Sequence, residues 1–265
     1  MFAVFPLYNW IPQLMEEATP YAVGFLLWAL PTFTTIFALG FMDRYAWLRN
    51  TPQIANAILF SGVIMTASGG VFGALQRHLG RIFGYAAIAE TGLLLIALGL
   101  RSSEVVNVIF LILIPRGLEF SVWALALSII KRNAYPLKFS DVQGLARKYP
   151  VATGALIIAH LSVAGFPLLA GFPSRLALWQ ELSLQSLTAS FWVFLGLFGL
   201  LIASVRTLAT LVMASEETKW ELNETLIQTL MLSIGVLGIF LIGLFPQILQ
   251  PFLTSLPTIF EHLAQ

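Results

Sequence analysis

Five ionisable residues interrupt otherwise apolar stretches: Glu90, Arg116, Glu119, His160 and Arg175. Glu90 lies in GYAAIAETGLLLIALGL with no charged residue one helical turn away. A bare carboxylate in such a setting is costly, so it is protonated, paired with another helix, or lining water. Arg116 and Glu119 follow Pro115 and are three residues apart, which puts both on one helix face where they can pair. His160 opens the segment HLSVAGFPLLAGFPSRL, whose helix is expected to break at Gly165, Pro167, Gly171 and Pro173, with Arg175 directly after. Proline removes a backbone donor and glycine loosens the helix. At membrane depth such a break is tolerated only where protein or a water-filled cavity satisfies the freed groups. Ionisable groups in a row beside a broken helix are the material of proton relays in pumps and transporters.

Each of these residues also has a plainer reading. Arg116 with Glu119 is equally a static internal ion pair, and His160 a simple hydrogen-bonded helix histidine. Arg206, in IASVRTLATLV, reads as a structural pair or an interfacial snorkelling side chain, because arginine hardly gives up its proton. Glu90 is the group best suited to proton exchange, since burial tunes the proton affinity of a carboxyl group over a wide range.

The elements that position these groups are membrane helices. A hydrocarbon core of about 30 Å takes about 20 apolar residues per helix. On that measure spans run over 21–42, 52–75, 82–100, 105–130, 151–169, 190–213 and 225–245, with a short segment over 174–184 after the break. That segment is too short to cross in one straight run, so the whole is an all-α, polytopic bundle of seven to eight spans including one broken helix. A short surface helix is expected over 141–148. An acidic loop holds Glu216, Glu217, Glu221 and Glu224, and Pro246 starts an interfacial tail. The first twenty residues lack a basic start, apolar core and cleavage site, so no signal peptide is expected to be removed.

Composition agrees. Hydrophobic residues make up 58% of the 265 and charged residues 10%, far from the roughly 25% charge of a soluble domain. The lipid bilayer is the expected surroundings, and no nucleic-acid partner is expected, because the net charge is +1 and the basic residues are scattered along loops. No metal or other cofactor is expected: there is no cysteine, the three histidines are spread along the chain, and no glycine-rich dinucleotide loop stands between a strand and a helix. Arg77, Arg81, Lys131, Arg132, Lys138, Arg147 and Lys148 fall on the N-terminal side of the spans, against Arg44, Arg49 and Arg101 on the other. The positive-inside rule then puts the N-terminus in the cytoplasm.

Several segments resemble one family, the antiporter-like proton-translocating membrane subunits of NADH:quinone oxidoreductase (respiratory complex I), Mrp antiporters and membrane hydrogenases. PLYNWIPQLMEEATP (6–20) is similar to the family's PFHxWLPxAxxxAPTP, and QRHLGRIFGYAAIAETG (76–92) to its QxDLKRLLAYSSIxHxG. Residues 141–176 resemble DLxGLxxxxPxxxxxFxxxxLSLAGIPPLAGFxGKF, and GLFPQ (243–247) the ending of its last helix. GFPLLAGF is the most specific element. The resemblance implies the last eight of the family's fourteen helices: 1–80 the end of a first repeat, 81–214 a second inverted repeat, and 215–265 the last helix and tail. A first half-channel is not expected from this chain alone, so upstream helices on another chain, as in a split gene, belong among the expectations.

The resemblance also implies partners, namely other membrane subunits of a respiratory or hydrogenase-like complex in a bacterial inner membrane. It implies proton translocation coupled to quinone reduction through a path of Glu90, Arg116, Glu119, His160 and Arg175. Four lysine positions of the family fall on other residues. Thr32 stands in the seventh helix, Gly80 in DLKR, Arg116 (or, with a shift of three, Glu119) in the tenth helix, and Arg175 in GFxGK. The histidine of its SSxxH segment falls on Glu90. Arginine does not replace a titrating lysine in a relay, which leaves a non-conducting structural subunit as the other expectation.

Overall fold

The computed structural model describes residues 4–100, 104–213, 222–256, 259, 260 and 263. Glu216, Glu217 and Glu221 of the expected acidic loop, Arg101 and His262 lie outside the described residues.

Eleven α-helices form among the described residues: α1 Trp10–Glu17, α2 Pro20–Arg44, α3 Ala46–Asn50, α4 Pro52–Leu75, α5 Leu79–Gly99, α6 Val105–Asn133, α7 Pro150–Val163, α8 Gly171–Gln185, α9 Leu187–Val212, α10 Leu226–Leu244 and α11 Gln250–Ser255. Six of them, α2, α4, α5, α6, α9 and α10, are long and apolar enough to cross a membrane, and α7 is a shorter apolar helix. The chain is a polytopic all-helical membrane protein, with α7 and α8 as the two halves of the broken span.

Apolarity all round a helix does not say which face meets protein and which meets lipid. Packing decides it here: 94% of the apolar stretch of α5 is buried, against 17% of that of α10. α5 is the axis of the bundle, and the one carboxylate it carries is fully buried. Close helix approach depends on small residues, as in membrane bundles generally. A Cβ on Gly70 of α4 would lie 1.8 Å from the carbonyl oxygen of Gly196 on α9.

Local boundaries differ from expectation in three places. The fifth span ends at Val163 and not at residue 169, because the chain turns through Gly165 (φ +80°) and Leu168 (φ +71°). α8 begins at Gly171, so Gly171 and Pro173 belong to the first turn of the second half-helix and only Gly165 and Pro167 to the break. Proline is accommodated there because the first-turn amides have no intrahelical acceptor to lose. The surface helix expected over 141–148 reduces to one 3-10 turn, Leu145–Arg147, since Gly144 takes a left-handed conformation (φ +72°) and Pro150 opens α7.

At one end of the bundle the C-terminus of α1, the α4–α5 turn and the end of α6 converge. Lys131 Nζ donates to the carbonyls of Glu16, Glu17 and Ala18 at 3.0, 3.0 and 2.8 Å, holding the last turn of α1. Glu224, from the loop before α10, accepts the Ala152 amide at 2.9 Å and so caps α7. The tail folds back on the bundle: Phe260 is buried, its ring 6.3 Å from that of Phe110.

Candidate functional site

Glu90, Arg116, Glu119 and Arg175 meet in the interior where α5, α6 and the α7–α8 break come together. Glu90, Arg116 and Glu119 are fully buried and Arg175 is 5% exposed. Two carboxylates and two guanidinium groups make the set formally neutral, the condition under which charge survives away from water.

Arg175 is the hub. Its Nη2 donates to Glu90 Oε1 and, at 3.2 Å, to the carbonyl of Val163, and it stands 3.7 Å from Glu119 Oε2. Its Nη1 donates to Ser174 Oγ at 2.7 Å. Val163 is the last residue of α7, so its carbonyl has no intrahelical donor and the guanidinium supplies one. The break puts Arg175 where it serves both an orphaned backbone carbonyl and two carboxylates from other helices.

Glu119 is held from the other side of the break. Ser162 Oγ donates to Glu119 Oε1 at 2.6 Å and accepts the Gly171 amide at 3.0 Å, linking the end of α7 to the start of α8. A Cβ on Gly171 would stand 2.0 Å from the Ser162 carbonyl oxygen and 2.8 Å from Glu119 Oε1. Glycine is required for that approach, and it brings the positive end of the α8 dipole to the carboxylate.

The ion pair expected between Arg116 and Glu119 is not made. Glu119 turns to Ser162 and Arg175, while Arg116 Nη2 donates to the Leu27 carbonyl at 3.0 Å and to Thr91 Oγ1 at 3.1 Å, and its guanidinium lies 5.0 Å over the Phe120 ring. Sharing a helix face gives adjacency; partners on α2, α5, α7 and α8 decide the contacts. Arg116 remains within electrostatic reach of Glu90, Arg175 and Glu119.

His160 stands apart from this network. It is fully buried, its ring tilted 30° against that of Trp123 at 4.2 Å between centroids, and Trp123 in turn stacks on Phe83 at 4.8 Å. Neither ring nitrogen has a hydrogen-bond partner among the described residues, so the simple hydrogen-bonded helix histidine is not what forms. Arg206 binds the carbonyl of Ala74 and lies 5.6 Å over the Phe139 ring, a structural contact near the end of the bundle. Ser162, Ser174 and Thr91 were not among the expected site residues. Their signal in sequence was adjacency, as the only hydroxyls next to the break or to Glu90.

Residues 1–203 match the family described as NADH:quinone oxidoreductase/Mrp antiporter, TM. The chain belongs to this family. Among relatives of the NADH:quinone oxidoreductase/Mrp antiporter family, it is 28% identical over 214 residues to the NADH-quinone oxidoreductase subunit N of Desulforudis audaxviator (strain MP104C), covering 77% of this chain and 40% of the relative. It is 28% identical over 175 residues to the NADH-ubiquinone oxidoreductase chain 5 of Cryphonectria parasitica, 64% of this chain and 25% of the relative. The chain thus spans less than half the length of these two relatives. The fold is shared with a chain of the membrane-bound sulfane sulfur reductase, an archaeal respiratory membrane complex (TM-score 0.84, 17% identity, 99% of this chain and 53% of that one). It is shared also with a chain of respiratory complex I from Thermus thermophilus (TM-score 0.80, 18% identity, 100% of this chain and 57% of that one). The two stretches that resemble this family's motifs around Glu90 and Arg175 converge, with Arg116 and Glu119 of α6, on one contact set.

Proposed function

We propose that the chain is a membrane subunit of a complex I-like assembly and that Glu90, Glu119 and Arg175 form its proton-transfer node. The observation that carries this reading is the position of Arg175 between two carboxylates, bonded to Glu90 and 3.7 Å from Glu119. Arginine holds its proton, so it acts as a movable counter-charge and the carboxyl groups as the carriers. When Glu90 takes a proton its claim on the guanidinium weakens and Glu119 gains it; the reverse transfer restores the first state. Arg116 keeps the set neutral, and His160, which the network does not contact, is assigned to the same path as a separate site that the His160→Phe variant tests. The family membership and the assemblies named for the structural relatives support partnership with other membrane subunits, and relatives such as the subunit N proteins support a bacterial inner membrane. Residues 1–80 are read as the end of one repeat, 81–214 as a second inverted repeat, and 215–265 as the last helix and tail.

A second reading, a non-conducting structural subunit, is favoured by one observation. The described charged residues at the node include no lysine, and the Glu90–Arg175 contact is a closed, buried pair. Proton uptake by proteoliposomes carrying the assembled complex separates the two. Glu90→Gln is expected to abolish uptake with electron transfer retained; unchanged uptake removes Glu90 from the mechanism.

A further inference from the structure

At the end of the bundle opposite Arg44, the turn between α4 and α5 borders a recess of about 460 Å³ whose walls include Glu16, Leu75, Arg77, His78, Arg81 and Lys138. Three cations face one carboxylate, and that carboxylate is already engaged, Glu16 Oε2 accepting from Arg81 Nε at 2.5 Å. The recess therefore carries a surplus of positive charge at the level where the spans end.

His78 supplies the observation that points to a ligand. It is 5% exposed, and its Nδ1 accepts the Arg81 amide, which caps α5 and assigns the proton of the neutral ring to Nε2. Burial above all lowers its proton affinity; Glu16 opposes this, and Arg81, Lys131 and Lys138 add to it, which favours the neutral ring. Nε2–H is then a buried donor with no acceptor, 3.9 Å from Glu16 Oε1 and so beyond hydrogen-bond reach. A buried unmet donor is costly, and an anionic oxygen in the recess would meet it.

The apolar surroundings say what kind of anion. Leu75, 67% exposed, forms one wall, and Phe72, one turn back along α4, is 47% exposed. An inorganic anion makes no use of that surface; an acyl chain does. We propose that this recess binds an anionic phospholipid. The phosphate lies on His78 Nε2–H, Arg77 and Lys138, the α5 N-terminus adds its dipole, and the hydrocarbon runs along Leu75 and Phe72.

Native mass spectrometry of the full chain released from mixed micelles of phosphatidylglycerol and phosphatidylcholine tests this. The parent is expected to retain phosphatidylglycerol in preference. The double variant Arg77→Gln/Lys138→Gln, at two exposed positions, is expected to lose about thirtyfold in retention, the factor for two basic residues at a membrane surface. Arg44→Gln, at the other end of the bundle, is expected to leave retention unchanged. Equal retention by parent and double variant, or equal retention of phosphatidylcholine, overturns the proposal. Excess inorganic phosphate is expected not to displace the lipid; displacement assigns the recess to free phosphate and overturns the lipid assignment.

Discussion

Arg175 and Glu90 are joined by a buried ion pair across 85 positions of sequence, and Glu119 stands 3.7 Å from the same guanidinium nitrogen. The pair exists because α8 starts in the interior, so that Arg175, just past its first turn, reaches the axial helix. A straight helix through 164–170 would leave that position inside a regular run of turns.

Removing one partner of a buried pair strands the other, which costs about 3–5 kcal/mol, whereas replacing both by apolar groups is often neutral. Glu90→Gln is therefore expected to lower stability by that amount, softened to the degree that Glu119 takes over Arg175. Glu90→Met/Arg175→Met is expected to recover most of the loss. Unfolding titrations of Glu90→Met, Arg175→Met and the double variant in one detergent give the coupling energy, and additivity of the two losses would contradict the pairing.

Gly171 is the residue whose replacement tests the seam between α7 and α8. The Cβ of Gly171→Ala meets backbone, the Ser162 carbonyl oxygen at 2.0 Å, so the half-helices must separate. Overpacking of this kind typically costs about 1–3 kcal/mol, and here it also lengthens the Ser162–Glu119 contact. Gly154→Ala, in the middle of α7 with nothing within 4 Å of its new Cβ, is expected to gain up to about 1 kcal/mol from helix propensity. Equal thermal midpoints for the two variants would rule out the close approach.

The membrane helices were legible because length and apolarity suffice to mark a span, and the break because Gly165 loosens a helix and Pro167 removes a backbone donor from it. The contacts within the site were not. Spacing along α6 points Arg116 at Glu119, yet local adjacency cannot weigh the carbonyl of Leu27, the hydroxyl of Thr91 or the guanidinium of Arg175, which arrive from α2, α5 and α8. Nor does the pattern of apolar residues reveal which helix is axial, since lipid and protein interior select the same side chains. The one clue to α5 was Glu90 itself, a carboxylate that only protein partners could satisfy. The start of α8 was misplaced for a simpler reason: Pro173 reads as a breaker in any linear scan, but in a first turn it has no bond to break.

His160 separates a path role from a packing role. Both its ring nitrogens are buried without partners, a burden of about 1–3 kcal/mol each that an apolar ring would relieve. His160→Phe keeps the ring contact with Trp123 and is expected to raise the thermal midpoint. A histidine that carries protons predicts in addition a loss of proton uptake in that stabilised variant, while a packing histidine predicts unchanged uptake; measuring both quantities on one preparation decides between them.

His78 predicts a pH dependence of stability with a definite sign. Its folded pKa lies below the ordinary 6.5, chiefly through burial. The unfolded chain therefore binds more protons than the folded one between the two values, and stability rises with pH across that window. The contribution is fully present above about pH 6.5 and is lost as pH falls toward the lowered folded value. His78→Asn retains a side-chain acceptor for the Arg81 amide but has no group to titrate, so its stability is expected to be flatter between pH 7.5 and 5.5 than that of the parent. Chemical unfolding at several pH values in that range checks this, and parallel slopes for parent and variant would mean that other groups set the dependence.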